Sequence, residues 1–249
     1  MGEPSSAVGA KLCQGTDHGH WTRFAAEWTE WARAPGHDAF WSYRDAFVEF
    51  VGSAAGAALD IGCGEGRISR ELKVLGYRVT ASDAVAELVD AARELDSAHE
   101  YAVAPAAALP FADGAFDLAV AYNVLMDVED VPAAVREARR VLKPSGTLIV
   151  SIVHPMIDGG RFVSDASDAP YLIERDYFAR KGFEDLDELD GMTMHFFGWS
   201  QPLEAYFAAL EAVGFAVTSL RERLPDESNA RLSRFQRLPL FLWLKARRI

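Results

Sequence analysis

The chain has 249 residues, half of them hydrophobic, and a formal net charge of -12. Those figures suit one globular α/β domain with attachments and argue against a nucleic-acid partner, which would need clustered Lys and Arg to neutralise phosphates. No apolar run reaches membrane-spanning length, and the two cysteines, Cys13 and Cys63, make no disulfide framework, so a cytoplasmic protein with no membrane partner is expected.

Residues Met1 to about Gly19 are small, polar and unpatterned. Trp21 to Trp31 then places Trp21, Phe24, Trp28 and Trp31 at helical spacing, and Asp38 to Val51 repeats this with Phe40, Tyr43, Phe47 and Phe50, which predicts two amphipathic helices. The plain reading of these aromatic stripes is packing onto a sheet.

Ala54 to Ile61 reads as a strand, Gly62-Cys63-Gly64-Glu65-Gly66 as a turn, and Arg67 to Leu75 as a helix with Ile68, Leu72 and Leu75 on one face. Glycines there allow close approach of a ligand, and the turn presents the unpaired N–H groups of a helix start. A dinucleotide fingerprint requires a third glycine where Arg67 stands, which counts against a nicotinamide-dependent oxidoreductase. Asp60 at the strand end would repel a pyrophosphate and suit a ligand carrying an ammonium group.

Tyr77 to Ser82 predicts a second strand ending at Asp83, an acid placed to accept hydrogen bonds from ribose hydroxyls or simply to cap the helix Ala84 to Leu95. A third strand spans Glu100 to Ala104, and after the Asp113-Gly114 turn a fourth spans Ala115 to Ala121. Val131 to Leu142 is a helix stopped by Lys143-Pro144-Ser145-Gly146, and Thr147 to Val153 is a fifth strand. Met156 to Ser200 is weakly patterned, with an acidic run from Glu184 to Asp190 and a strand at Met192 to Phe197; so long an interruption reads as an insertion covering a substrate. Pro202 to Val213 is a helix closed by Gly214, Phe215 to Leu220 a sixth strand, and Pro239 to Ala246 the last.

Leu59 to Gly66, Asp83, Leu109 to Asp117 and Arg140 to Gly146, in that order, resemble the class I S-adenosylmethionine-dependent methyltransferases, in particular their broad small-molecule group. The resemblance covers roughly Ala54 to Pro155. It implies a Rossmann-like, doubly wound seven-stranded α/β sheet, mostly parallel with an antiparallel last strand, plus N-terminal helices and the insertion after strand 5. It divides the chain into a tail with capping helices (1–53) and a methyltransferase domain (54–249). It also implies S-adenosyl-L-methionine as cofactor, with S-adenosyl-L-homocysteine as product, held by Asp60, Gly62, Cys63, Gly64, Asp83, Ala84, Ala106, Ala107 and Asn123, with Tyr43 and Trp28 as candidate lid residues. Relatives carry an acid where Pro105 stands, so the adenine contact must come from elsewhere, such as the backbone of Ala106 and Ala107.

Methyl transfer from a sulfonium needs mainly alignment and dehydration, which supply roughly 7 to 11 kcal/mol. A general base adds only about 3 to 5 kcal/mol. The candidates for that role or for holding the acceptor are His154, at the end of the fifth strand, His195, flanked by aromatics, and Asp127; His18 and His20 are candidates to fold over the site. The six histidines and the acids show no metal-ligand spacing. The expected function is methyl transfer to a small molecule by a monomer or homodimer; a non-catalytic cofactor-binding or regulatory module is the alternative.

Overall fold

The computed structural model describes residues 17–249. The expectations for Cys13 and for the tail up to residue 16 lie outside the described residues. Where the aromatic spacing predicts two leading helices, three form: α1 (Asp17–Arg23), α2 (Ala25–Arg33) and α3 (Phe40–Val51). The break falls at Phe24, whose backbone (φ -108, ψ 16) leaves the helical region.

The alternating segments then follow as β1 (Gly56–Ile61), α4 (Arg67–Val74), β2 (Tyr77–Asp83), α5 (Ala86–Glu94), β3 (Glu100–Val103), β4 (Phe116–Tyr122), α6 (Val131–Val141) and β5 (Leu142–Val153). Helix α6 starts as its sequence dictates, with the Asp130 carboxylate accepting the Ala133 N–H and Pro132 in the first turn. After an insertion come α8 (Leu203–Ala212), β10 (Phe215–Arg221), a 3₁₀ helix (Ala230–Gln236) and β11 (Phe241–Arg248).

The seven-stranded sheet has the order β10-β11-β5-β4-β1-β2-β3. Strand β11 runs antiparallel to both β10 and β5, and the remaining pairs are parallel. From β1 the chain steps outward through β2 and β3, then crosses back to β4 on the other side. That reversal opens a crevice at the carboxyl ends of β1 and β4, where ligands of such sheets sit.

Both faces of the sheet are covered. On one, Val135 of α6 and Leu210 of α8 pack on Leu59, Leu148 and Leu244; on the other, Phe47 of α3 and Leu72 of α4 pack on Val79, Val120 and Trp243. Each such side chain contributes about 1.5 to 3 kcal/mol on burial, so the sheet edge that carries the crevice is rigidly held.

The insertion is more ordered than its sequence predicts. It contains α7 (Pro155–Asp158), a hairpin of β6 (Gly160–Phe162) with β7 (Tyr171–Ile173), and a longer hairpin of β8 (Lys181–Leu189) with β9 (Met192–Ser200). The acidic run is therefore a strand. Its turn is Asp190-Gly191, both at positive φ (50° and 81°), the backbone that a two-residue hairpin loop requires.

Candidate functional site

The glycine turn after β1 is held from below. The Cys63 N–H donates to the Ser82 carbonyl at 2.9 Å, and Gly62 and Gly64 adopt φ of +68° and +54°. A side chain at either would collide with protein, not with vacant space: the Cβ position lies 2.4 Å from Val124 Cγ2 at Gly62 and 2.8 Å from Trp28 Nε1 at Gly64. The glycines thus serve the turn's conformation and its close packing under Val124 and Trp28, where the sequence predicted room for a ligand.

Asp60 is 1% exposed and accepts the Ser69 hydroxyl at 2.6 Å. Burial pushes its carboxyl up to about 7, against the hydrogen bonds from Ser69. It does not line the cleft, so it acts by positioning the first turn of α4. Asp83 does line it. Its two oxygens accept the Gly64 N–H at 2.9 Å and the Val85 N–H at 3.0 Å; it does not cap α5, whose N-cap is Val85 without a side-chain bond, and it ties the glycine turn to the start of the next loop. A carboxylate offers about four lone-pair positions, which leaves capacity toward the cleft. Burial raises its pKa, opposed by those N–H donors. Cys63 lines the cleft as well, but burial pushes its thiol up, the signature of an unreactive cysteine.

Above this edge lies a cleft of about 1730 Å³. Pockets that hold one drug-sized ligand span roughly 300 to 1,000 Å³, so the space admits a cofactor and a second molecule. Ala84, Ala106, Ala107 and Asn123 line it with Gly62 and Gly64. Asn123, at φ 55°, accepts the Ser151 hydroxyl at 2.7 Å, which fixes the bend at the end of β4. Pro105 borders the same wall. Among the described residues the N–H groups of Ala106 and Ala107 donate to no acceptor, so they are available to a ligand edge where relatives use an acid.

Of the two lid candidates only Trp28 reaches the cleft. Tyr43 is 1% exposed and packs edge-on against Phe241 and Trp243; it belongs to the core, because its position on α3 faces the sheet. Trp28 instead lies over Arg67, with the guanidinium carbon 4.9 Å from its ring and 4.7 Å from that of Phe40. Arg67 pairs with Asp38 at 2.8 Å. The sequence drew attention to Arg67 only as the absent third glycine; it is the pin that fastens the N-terminal helices to the turn.

The histidine candidates fall elsewhere. His154 does not line the cleft: its Nδ1 accepts the Met156 N–H at 3.1 Å and its Nε2 lies 3.0 Å from Glu222, so both ring nitrogens are spent, Nδ1 on capping α7 and Nε2–H on a hydrogen bond to the Glu222 carboxylate. Burial lowers its pKa. His195 stacks on Phe24 at 4.4 Å and pairs with Glu27 at 2.9 Å and does not line the cleft, whereas Phe196 and Phe197 beside it do. His20 is bound to the His195 carbonyl at 3.0 Å, so hairpin β8–β9 and α1 form one cover. His18 and Asp127 do line the cleft. Among the described residues no group of three or more His, Cys, Asp or Glu is arranged to hold a metal.

The segment expected to cover a substrate forms a far lobe of α7, the two hairpins and, from beyond it, the 3₁₀ helix, where Asp158, Arg175 and Asp185, none of them singled out by the sequence, line the cleft with Phe162, Phe183 and Phe235. The Asp190-Gly191 dipeptide was the available signal for the hairpin.

Strand order, the crossover crevice and an acid at the end of β2 define the class: a Rossmann-like fold of the S-adenosylmethionine-dependent methyltransferase type. Residues 59–150 match the family model described as a methyltransferase domain. A malonyl-[acyl-carrier protein] O-methyltransferase from Serratia marcescens is 38% identical over 93 residues, 37% of this chain and 36% of that protein; the match thus spans about a third of that relative's length. An S-adenosylmethionine dependent methyltransferase structure from Mesorhizobium loti is 26% identical, covers 85% of this chain and 98% of its own, and superposes with a TM-score of 0.66. A [4+2]-cyclase, SpnF, shares the fold at 18% identity and a TM-score of 0.57, over 95% of this chain and 98% of its own.

Proposed function

We propose that the chain binds S-adenosyl-L-methionine at the glycine turn and transfers its methyl group to a small molecule held in the far lobe. The observation that carries this reading is Asp83, buried, fixed by two N–H donors and open to the cleft at the end of β2. The residues present fit the cofactor: Asp83 offers acceptors to the ribose, Ala106 and Ala107 offer N–H groups to the adenine, and Trp28, Val85 and Leu88 offer flat apolar surface. When bound, S-adenosylmethionine supplies a methyl group already activated on a sulfonium. The chain's own contribution is then to align the acceptor and exclude water, through the cover of α1, α2 and β8–β9.

The small-molecule acceptor rests on the size of the cleft and on the acidic balance, which disfavours nucleic acid. The relatives' acceptor does not carry over, because residues 157–185 of the far lobe lie outside the matched segment. Residues 1–53 serve as a tail with capping helices and 156–200 as the acceptor cover. A cytoplasmic monomer or homodimer completes this reading. A cofactor-binding module without turnover is the second reading, favoured by the engagement of His154 and His195 away from the cleft.

Calorimetric titration with S-adenosylmethionine and S-adenosylhomocysteine tests the first reading. One-to-one binding weakened by Asp83→Ala is expected, and absence of binding by both removes it. Methyl transfer to any small acceptor removes the second.

A further inference from the structure

The far lobe contains a carboxyl group with no partner. Asp158, the last residue of α7, is 8% exposed and borders the cleft, and among the described residues its carboxyl forms no hydrogen bond and no ion pair. Such a group is costly to keep unless something satisfies it. The other charges of the lobe do not. Arg161 pairs with Glu174 at 3.1 Å, Arg231 with Asp187 at 3.1 Å and Arg234 with Asp165 at 2.5 Å.

Apart from Glu184, which also lines the cleft from β8, what remains is one arginine against two acids. Arg175 lies over the Phe183 ring at 5.4 Å and reaches only the backbone carbonyl of Asp158, at 3.4 Å. Asp185, on β8, is open to the solvent of the cleft and forms no side-chain hydrogen bond among the described residues. The walls between are aromatic: Phe162, Phe183 and Phe235. The Arg234 guanidinium already lies over Phe162 and Phe235, at 5.8 and 5.0 Å, so the rings supply an apolar wall while the surplus carboxylate attracts a cation and repels an anion.

We propose that the corner formed by Asp158, Asp185 and Arg175 is the recognition subsite of the acceptor lobe, and that it takes a protonated amine carried on an aromatic or apolar body. This rests on the far lobe being the acceptor lobe, as read above. The same charges disfavour a carboxylate acceptor. The groups facing Asp158 are Arg175, Asp185, Tyr171 and Tyr206; both tyrosines stay neutral because burial pushes their hydroxyls up. Burial of Asp158 raises its carboxyl to about 7, with Asp185 adding to the shift and Arg175 opposing it. Amine binding therefore tightens as the pH rises through about 7, where Asp158 ionises.

Three probes of one shape test the assignment on the full chain without cofactor: 2-phenylethylamine, 2-phenylethanol and 3-phenylpropanoate, titrated by calorimetry or ligand-observed NMR. The amine is expected to bind best, the alcohol at least threefold more weakly and the carboxylate weakest, with Asp158→Asn lowering amine affinity about tenfold and leaving the alcohol unchanged. Equal binding of the three, binding of none, or an unaltered amine affinity in Asp158→Asn overturns it. If Asp158→Asn does not fold, Arg175→Gln decides: loss of the like charge should strengthen amine binding severalfold, and no gain overturns the proposal. S-adenosylhomocysteine titrated separately keeps failure of the cofactor reading distinct from failure of this one.

Discussion

Around Asp83 the cleft is walled by strand ends and fastened by backbone N–H groups, whereas around Asp158 it is walled by hairpins and a 3₁₀ helix fastened by ion pairs between partly exposed side chains. The first construction fixes atoms to the sheet, which is buried on both faces. The second rests on contacts worth about 0 to 1 kcal/mol each. A cleft built this way holds one ligand in a preset place and lets the other wall adapt, an arrangement suited to one shared cofactor and a particular acceptor.

The contrast breaks first at Gly62. Gly62→Ala forces a side chain at φ +68° into Val124, 2.4 Å away. Left-handed backbone costs roughly 1 to 2 kcal/mol and overpacking about 1 to 3, so denaturant unfolding should show a loss of about 2 to 5 kcal/mol. Arg231→Ala, which removes the ion pair to Asp187 between side chains 41% and 45% exposed, should cost under about 1 kcal/mol. Similar losses for the two would mean that the far lobe is as rigid as the sheet edge.

Next is Asp83→Ala. It removes acceptors from the ribose and leaves the Gly64 and Val85 N–H groups unpaired. Hydrogen bonds to a charged group are worth about 1.5 to 3 kcal/mol, so S-adenosylhomocysteine affinity should fall roughly 10- to 100-fold by calorimetry, with about 1 to 3 kcal/mol of stability lost as well.

The same division governs what the sequence makes legible. The near lobe writes itself into local pattern: a glycine turn, an acid at a strand end, apolar strands alternating with amphipathic helices. Even there, periodicity places Tyr43 and Trp28 on helical faces without telling which face meets the sheet, and Tyr43 proves to be core. Asp60 is at the predicted place but bonds to Ser69, and Gly62 and Gly64 border the cleft while packing under Val124 and Trp28. The far lobe depends on contacts distant in sequence. Strand β8 is disguised because Glu184, Asp185 and Glu188 are exposed, and only Asp190-Gly191 betrays its hairpin. His154 stands at the carboxyl edge as expected, yet Met156 and Glu222 take its ring, and it is Asp158, four residues on, that reaches the cleft. No local rule singles that aspartate out.

The pH dependence of stability sharpens the contrast further. The Asp158 carboxyl rises from an ordinary 3.8 to about 7 on folding, so the folded state binds the proton more tightly than the unfolded one. Stability then falls as the pH rises from about 4 to 7 and levels off above. Asp158→Asn lacks that loss. Relative to the unsubstituted chain it should gain stability progressively across this window, by up to about 2 kcal/mol once the residual water in the cleft is allowed for. Asp60, raised in the same direction, titrates in both proteins and cancels from the difference. A constant difference between pH 4 and 8 would show that Asp158 is hydrated and the far lobe open.

The smallest effect distinguishes cover from core. The Tyr43 hydroxyl is buried and, among the described residues, has no hydrogen-bond partner, while its ring packs on Phe241 and Trp243. Removing an unsatisfied hydroxyl from such a place relieves a desolvation cost and sacrifices little packing. Tyr43→Phe should therefore change stability by less than about 1 kcal/mol, toward greater stability, and leave S-adenosylhomocysteine affinity unchanged. A lid tyrosine bonded to the cofactor would behave oppositely, losing affinity with the hydroxyl while stability stayed put. Calorimetry and denaturant unfolding on this one variant thus assign α3 to the sheet or to the cleft, and with it the boundary between the helices that build the fold and those that cover the ligand.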